Sequence, residues 1–201
     1  SEVLAYGGDV GFISDSTPER DSMSLYGQGT WNHSETFRSV FGLRYTDDEV
    51  YSEVTNFFGR QGTDILQVDG SKVTSRFVIE KDIDENRMFY VSYTKGYKPG
   101  GSNLTYGRED VVAPIVVLPT FEEEVVDAYE FGLKADIAGG RTRINSAVFF
   151  YNYEGLQYQA TDPELYQGGV SNIAESEIYG AEVELSTYVT DSMILDANLS
   201  W

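Results

Sequence analysis

Alternate positions between Val125 and Ile137 fall into two sets. Tyr129, Phe131, Leu133, Ala135 and Ile137 are apolar, whereas Ala128, Glu130, Gly132, Lys134 and Asp136 are small or polar. Side chains of an extended strand point alternately to its two faces, so this spacing predicts a strand with one greasy and one polar side. Ala138-Gly139-Gly140 follows, and glycine supplies the positive φ that a tight reversal needs. A second strand then returns from Arg141 to Gln159. The same period of two recurs along the chain and predicts nine strands, at 2–13, 22–33, 36–50, 72–82, 87–98, 125–138, 141–159, 176–189 and 192–201. No segment of useful length carries helical spacing.

The connections are as informative as the strands. Ser34-Glu35, residues 83–86, Ala138-Gly139-Gly140 and Thr190-Asp191 are short; residues 14–21, 51–71, 99–124 and 160–175 are long. Short and long alternate without a break. That order is characteristic of outer-membrane barrels, with tight periplasmic turns and long external loops. The strand expected at 141–159 would span about 60 Å at ~3.3 Å per residue, well beyond the ~25 Å apolar band of such a barrel. The greasy sides are Phe89, Val91, Tyr93; Tyr129 to Ile137; Tyr179, Ala181, Val183, Leu185; and Leu195, Ala197, Leu199, Trp201, and none is charged. A charge facing lipid at mid-depth costs ~2–4 kcal/mol, which would enforce that absence. A soluble, carbohydrate-binding β sandwich also alternates, with its polar side in bulk water. A passive porin-like barrel shares the strand pattern too. Strand length and loop order separate a membrane barrel from the sandwich.

Composition sharpens the picture. Aromatic residues make up 14% of the chain, with fifteen Tyr and eleven Phe, a richness usual where rings sit at a water–apolar boundary. The net charge of −19 disfavours a nucleic-acid partner, which needs a basic face. Cysteine is absent, so neither a disulfide scaffold nor a thiolate metal site is available. No apolar run reaches the ~18 residues of a membrane helix, and SEVLAYGGDV lacks the basic start and apolar core of a signal peptide. With short turns on the periplasmic side, the ninth strand rises and ends at Trp201. Bacterial barrels have an even strand number and both termini in the periplasm, so the chain is expected to be an unfinished barrel.

The segments FYVSYTKGYKPGGSN (89–103), VVDAYEFGLKADIAGGRTRINSAVFFYNYEGLQ (125–157) and NIAESEIYGAEVELSTYVTDSMILDANLSW (172–201) resemble the β-barrel of TonB-dependent outer-membrane receptors. SLYGQGTWNHSETFRSVFGLRYTDDE (24–49) is similar to the same barrel further upstream; residues 51–71 and 104–120 lie outside the resemblance. It implies an antiparallel transmembrane barrel of 22 strands, of which this chain would supply about nine. It also implies a plug domain inside the barrel, and an inner-membrane complex that delivers energy through the plug. Both lie outside this chain, as would the first and last strands. The implied setting is the outer membrane of a Gram-negative bacterium, against lipid and lipopolysaccharide. The implied task is uptake of a scarce ligand: a ferric siderophore or similar iron complex, haem, cobalamin or a glycan. Neither catalysis nor a resident cofactor is implied.

In the register that turns Phe89 and Tyr129 to lipid, Arg38, Arg44, Arg76, Glu80, Glu130, Lys134, Arg143, Glu182 and Glu184 point into the lumen. There they would pair across strands or with the plug, or line a solvated wall. Ligand-contact candidates lie in or beside the long loops: Phe57, Phe58 and Arg60; Lys98, Tyr106 and Arg108; Tyr158 and Tyr166. Tyr and Arg offer amphipathic surfaces, and Arg can pair with an anionic chelate. VVAPIVVLP (111–119) is greasy for an external loop and is expected to pack on its neighbours, with a ligand lid as the alternative. Gly96, Gly100 and Gly101 either terminate a strand or bend the mouth. Asp82-Ile83-Asp84-Glu85-Asn86 begins like a calcium loop, but Arg87 stands where glycine is required. Asp47-Asp48-Glu49 and Glu122-Glu123-Glu124 are acidic runs able to meet divalent ions at a lipopolysaccharide surface, or simply to be solvated.

Overall fold

A computed structural model describes residues 14–56, 62–103, 117–162 and 167–201. Ten strands occur in chain order: β1 (Ser14–Ser34), β2 (Phe37–Asn56), β3 (Gly62–Asp84), β4 (Arg87–Lys98), β5 (Gly101–Ser102), β6 (Thr120–Phe121), β7 (Glu124–Ile137), β8 (Thr142–Asp162), β9 (Gln167–Thr190) and β10 (Met193–Ser200). Eight form one sheet in the order β1-β2-β3-β4-β7-β8-β9-β10, each antiparallel to its neighbours; β5 and β6 make a separate small pair. Every long strand therefore pairs with its neighbour in sequence. The sheet is an open arc of a barrel wall, not closed on itself.

Four tight turns lie at one end, between β1 and β2, β3 and β4, β7 and β8, and β9 and β10. The third is the reversal expected from Ala138-Gly139-Gly140. All three residues have positive φ, at 54°, 68° and 82°, and Gly140 N–H donates to the Ile137 carbonyl at 3.2 Å. The connections at the other end fall at 57–61, 99–123 and 163–166, so short and long alternate as expected.

The long loops are the main correction. The expected loop at 14–21 is the first part of β1, and 51–56 and 62–71 belong to β2 and β3. Residues 160–162 and 167–175 likewise extend β8 and β9. β3 reaches 23 residues and β9 reaches 24, so the hairpins stand taller than the period of two indicated. Their upper parts, such as GTDILQVDGSK and QGGVSNIAESE, carry no strict apolar alternation. The strand expected at 2–13 lies outside the described residues.

β4 and β7 are the exception, ending at Lys98 and beginning at Glu124, opposite each other. β3 pairs with β4 only from Thr94 downward, and β8 pairs with β7 only up to Glu154. Above those rows the β2–β3 and β8–β9 hairpins rise on either side of a notch in the wall.

Candidate functional site

The register sorts the sheet into two faces. On one, Phe41, Phe77, Tyr93, Tyr129, Phe150 and Tyr179 follow one another across six adjacent strands. Their rings meet as offset neighbours: Tyr93–Tyr129 centroids are 5.2 Å apart, Tyr129–Phe150 6.5 Å. Phe89–Phe131 at 6.2 Å and Tyr179–Trp201 at 6.3 Å belong to the same face. These side chains are exposed although apolar, Tyr179 at 65% and Phe131 at 49%. A contiguous apolar face of this size on exposed strands requires an apolar surrounding.

The apolar band on this face is slanted relative to the strand pairing. On β7, β8 and β9 its upper limit is the row of Tyr129, Phe150 and Tyr179; the next residues on that face are Asp127, Asn152 and Glu177, themselves paired in register. On β1, β2 and β3 the band continues two pairs further, to Leu25, Tyr45 and Val73, before Asp47 appears. At the lower limit the shift runs the same way. The band descends to Ile137 on β7, but gives way to Lys81 just past Ile79 on β3. A flat slab cut through strands tilted by ~35–45° produces this stepwise climb. The Tyr93 hydroxyl at the limit donates to Asp127 at 2.6 Å, and Lys95 reaches the same carboxylate at 3.6 Å. An aromatic body in the band with its polar tip outside it is the arrangement of an interfacial girdle.

The opposite face carries all nine of the predicted inward charges: the pairs Arg38–Glu80, Arg44–Thr74, Gly42–Arg76, Ser92–Glu130, Met88–Lys134, Asp136–Arg143, Asn145–Glu184 and Ala147–Glu182 all have the parity opposite to the Phe41–Tyr179 row. Several are paired across strands. Arg38 bridges Glu80 and Asp82, and Arg143 donates to Asp136 at 2.8 and 3.0 Å. Arg44 donates to Ser24 at 2.7 Å and Thr46 at 3.1 Å, and Glu184 accepts from Asn145 at 3.3 Å. Glu130 accepts from the Tyr90 hydroxyl at 2.5 Å while the Lys134 ammonium lies 5.5 Å from the Tyr90 ring centre. That ring covers Gly132, where any Cβ would collide with it. Phe149 covers Gly180 in the same way, with a Cβ falling 2.8 Å from its ring. Arg76 and Glu182 make no ion pair or side-chain hydrogen bond among the described residues. Arg76, Glu130, Lys134 and Tyr151 line a recess of about 410 Å³.

Of the predicted ligand contacts, Phe57, Phe58, Arg60, Tyr106, Arg108 and Tyr166 lie outside the described residues. Lys98 closes β4 and is exposed; Tyr158 stands on β8 opposite Ser171, 40% exposed. They border the notch from two sides, and their neighbours Pro99 and Gln157 touch there through a 2.9 Å hydrogen bond. Gly100 and Gly101 do more than end β4: a Cβ at either would strike Phe121, so small residues are needed for the chain to turn there. Val117, at the end of the greasy loop run, is 1% exposed.

The acidic runs are divided by the fold. Asp48 turns to the inner side, with its side chain 2% exposed, and accepts from Arg20 at 2.8 Å. Burial pushes that carboxyl up, but the Arg20 hydrogen bond and charge, with the Ser22 hydroxyl nearby, outweigh it and hold the carboxyl below its usual range. The Tyr97 hydroxyl faces the same carboxylate and is pushed up to about 12 by burial, then by Asp48 and Glu123. Glu123 pairs with Lys72, and Glu124 accepts the Gln157 backbone N–H at 2.7 Å. Among the described residues no group of three or more carboxylates or histidines is placed to hold a metal. The residues that sequence reasoning missed are Asn103, Gln157 and Asn172, whose amides tie the loop after β4 to distant strands. Their partners lie up to 67 residues away, beyond any local pattern.

Over residues 3–201 the chain matches the family model described as TonB dependent receptor-like, beta-barrel. Among solved structures it is similar to the ferric yersiniabactin uptake receptor FyuA from Yersinia pestis: TM-score 0.76, 19% identity, 93% of this chain and 27% of that one. The siderophore receptor PiuA from Acinetobacter baumannii gives 0.72 at 20% identity, over 93% of this chain and 26% of that one. The ferric-catecholate import receptor Fiu from K12 E. coli gives 0.65 at 15% identity, over 92% and 28%. The chain spans between 26% and 28% of the length of these structures.

Proposed function

The chain belongs to the TonB-dependent receptor-like β-barrel family, and on that premise we propose that it is a wall segment of an outer-membrane receptor for energy-coupled uptake of a scarce extracellular ligand, a ferric siderophore or similar iron complex. The slanted apolar band carries this reading. Hydrocarbon wets the face of Tyr129, Phe131 and Leu133, lipopolysaccharide meets the hairpins above it, and the charged face looks into the lumen. A plug domain occupies that lumen. Arg38, Arg44, Arg76, Glu80, Glu130, Lys134, Arg143, Glu182 and Glu184 form the wall against it, and Arg76 and Glu182, unpaired among the described residues, are available for plug contacts. An inner-membrane complex drives release by acting on the plug. Lys98 and Tyr158, beside the notch, stand where a ligand descending from outside would first meet this part of the wall. The chain performs no chemistry on the ligand.

The test uses the complete receptor that contains this chain, in a Gram-negative host deleted for its own siderophore receptors. Radiolabelled iron is supplied as catecholate, hydroxamate and mixed chelates, with and without the inner-membrane energy transducer. Uptake of at least one chelate that vanishes without the transducer is expected. Ion conductance through an open lumen, independent of the transducer, would replace this reading with a passive porin.

A further inference from the structure

The described ends of the connection between β4 and β7, Pro99–Asn103 and Val117–Glu123, lie across the notch and touch all four strands that flank it. Toward β2, the Ser102 and Ser52 hydroxyls are 2.5 Å apart, and Ser52 is fully buried. Toward β3, Glu123 pairs with Lys72, and Gly100 sits so close to Val68 that a Cβ would fall 3.2 Å from its methyl. Toward β8, the Gln157 side chain donates to both the Pro99 and Glu122 carbonyls at 2.9 Å. Toward β9, Asn103 accepts the Val170 N–H at 2.8 Å and donates to the Val170 carbonyl at 2.9 Å. Asn172 does the same to the N–H and carbonyl of Glu122, at 2.8 and 3.0 Å. Two asparagine side chains thus reproduce the paired donor and acceptor of a β ladder where no strand is present.

The backbone is adapted to this fit. Gly155 has φ of 65°, and a Cβ there would lie 2.5 Å from the Glu123 carbonyl. A Cβ on Gly169 would lie 2.6 Å from both Asn103 and Val117. Burial agrees: Val50, Val54, Val117, Val125 and Ala160 are each no more than 9% exposed, whereas lower in the described sheet the buried apolar set holds only Val78, on the charged face, and Ala135, on the apolar one. Five of the seven buried apolar residues in the described chain are therefore at or beside this crossing. A loop that opens and closes is drawn from weakly packed, solvent-facing backbone; these two described stretches are not.

We propose that these two stretches form a fixed strap, a permanent part of the vestibule wall that closes the notch left by the short β4 and β7. The strap joins the two tall hairpins into one rigid rim, so the ligand passes over this wall and not through it. Asn103, Gln157 and Asn172 are its positioning residues. The inference rests on the barrel-wall reading but on no ligand, and its test needs none.

Amide exchange is followed by mass spectrometry on the complete ligand-free receptor in detergent. The N–H groups of Asn103, Glu122, Gln157 and Val170 are all bonded and are expected to exchange as slowly, within about tenfold, as those of Val91 and Phe131 in the sheet. Asn103→Ala with Asn172→Ala is expected to speed exchange at Glu122 and Val170 by about tenfold or more, with Val91 unchanged. Ser52→Cys with Ser102→Cys, in a receptor otherwise freed of cysteine, provides a second reading, and this chain itself contributes no cysteine to compete. A fixed strap cross-links fully on mild oxidation and exchanges identically before and after. Strap amides that exchange like free peptide, or that become protected only once the disulfide forms, would show a moving lid and overturn the proposal. Loss of iron uptake with these protections intact would count against the transport reading alone.

Discussion

Asp48 shows how a single residue can be read wrongly from its neighbours. In Asp47-Asp48-Glu49 the three acids look equivalent, yet strand geometry sends the middle one inward and the outer two outward. Asp48 becomes a buried carboxylate held by the half-exposed guanidinium of Arg20, which ties β1 to β2 just above the band. Its folded pKa is depressed, so its contribution to stability is present above the ordinary carboxylate pKa of ~3.9 and is lost as pH falls through the lower folded value. Asp48→Asn keeps the volume and removes the charge. The melting-point gap between the parent receptor and this variant is therefore expected to be constant from pH 7 to 5 and to shrink below pH 4. Arg20→Ala leaves the carboxylate without its cation and is expected to cost about 1–3 kcal/mol at pH 7. A gap that does not change with acid would mean that the pair contributes no charge-dependent stability.

For whole strands, legibility followed the surroundings. Within the band, one face apolar and the other charged impose strict alternation, and Tyr129 to Ile137 declared both the strand and its faces. The tight turns were equally legible, because Ala138-Gly139-Gly140 supplied the backbone freedom they need. Above the band both faces meet water or the strap, selection for alternation relaxes, and the upper parts of β1, β3 and β9 read as loops. The strap's anchors were not legible at all, since asparagine and glycine are also what ordinary loops contain. The two-faced reading makes a sharp contrast between neighbours on β7. Leu133 lies mid-band on the apolar face, and Lys134 lies beside it on the other. Leu133→Arg is expected to cost ~2–4 kcal/mol in bilayers. Lys134→Leu is expected to cost only about 0.5–1 kcal/mol, the loss of the contact with the Tyr90 ring. Urea titration of the complete receptor in phosphatidylcholine vesicles measures both. Equal penalties would mean that the two faces meet the same medium, and the membrane reading would fall.

For the molecule as a whole, the open edges decide what the 201 residues can do alone. Within the described residues β1 pairs only with β2, and β10 only with β9, so each presents one unpaired side. A strand crossing the hydrocarbon contributes ~9–11 residues, and about half of its backbone N–H and C=O groups point to that free side. Each group left unpaired in lipid costs several kcal/mol. Two such edges cost tens of kcal/mol, more than the ~5–15 kcal/mol by which a folded domain is stable. The hairpins and strap are built locally, but the wall is held in a bilayer only when other strands cover β1 and β10. The 201-residue chain, refolded by itself into detergent or vesicles, is therefore expected to show no heat-modifiable band on gels and to remain fully protease-sensitive. The complete receptor, refolded in parallel, is expected to give the compact, resistant form. A resistant multimer of the short chain would instead mean that copies of this arc can cover one another's edges, and that closure does not depend on the remainder of a single polypeptide.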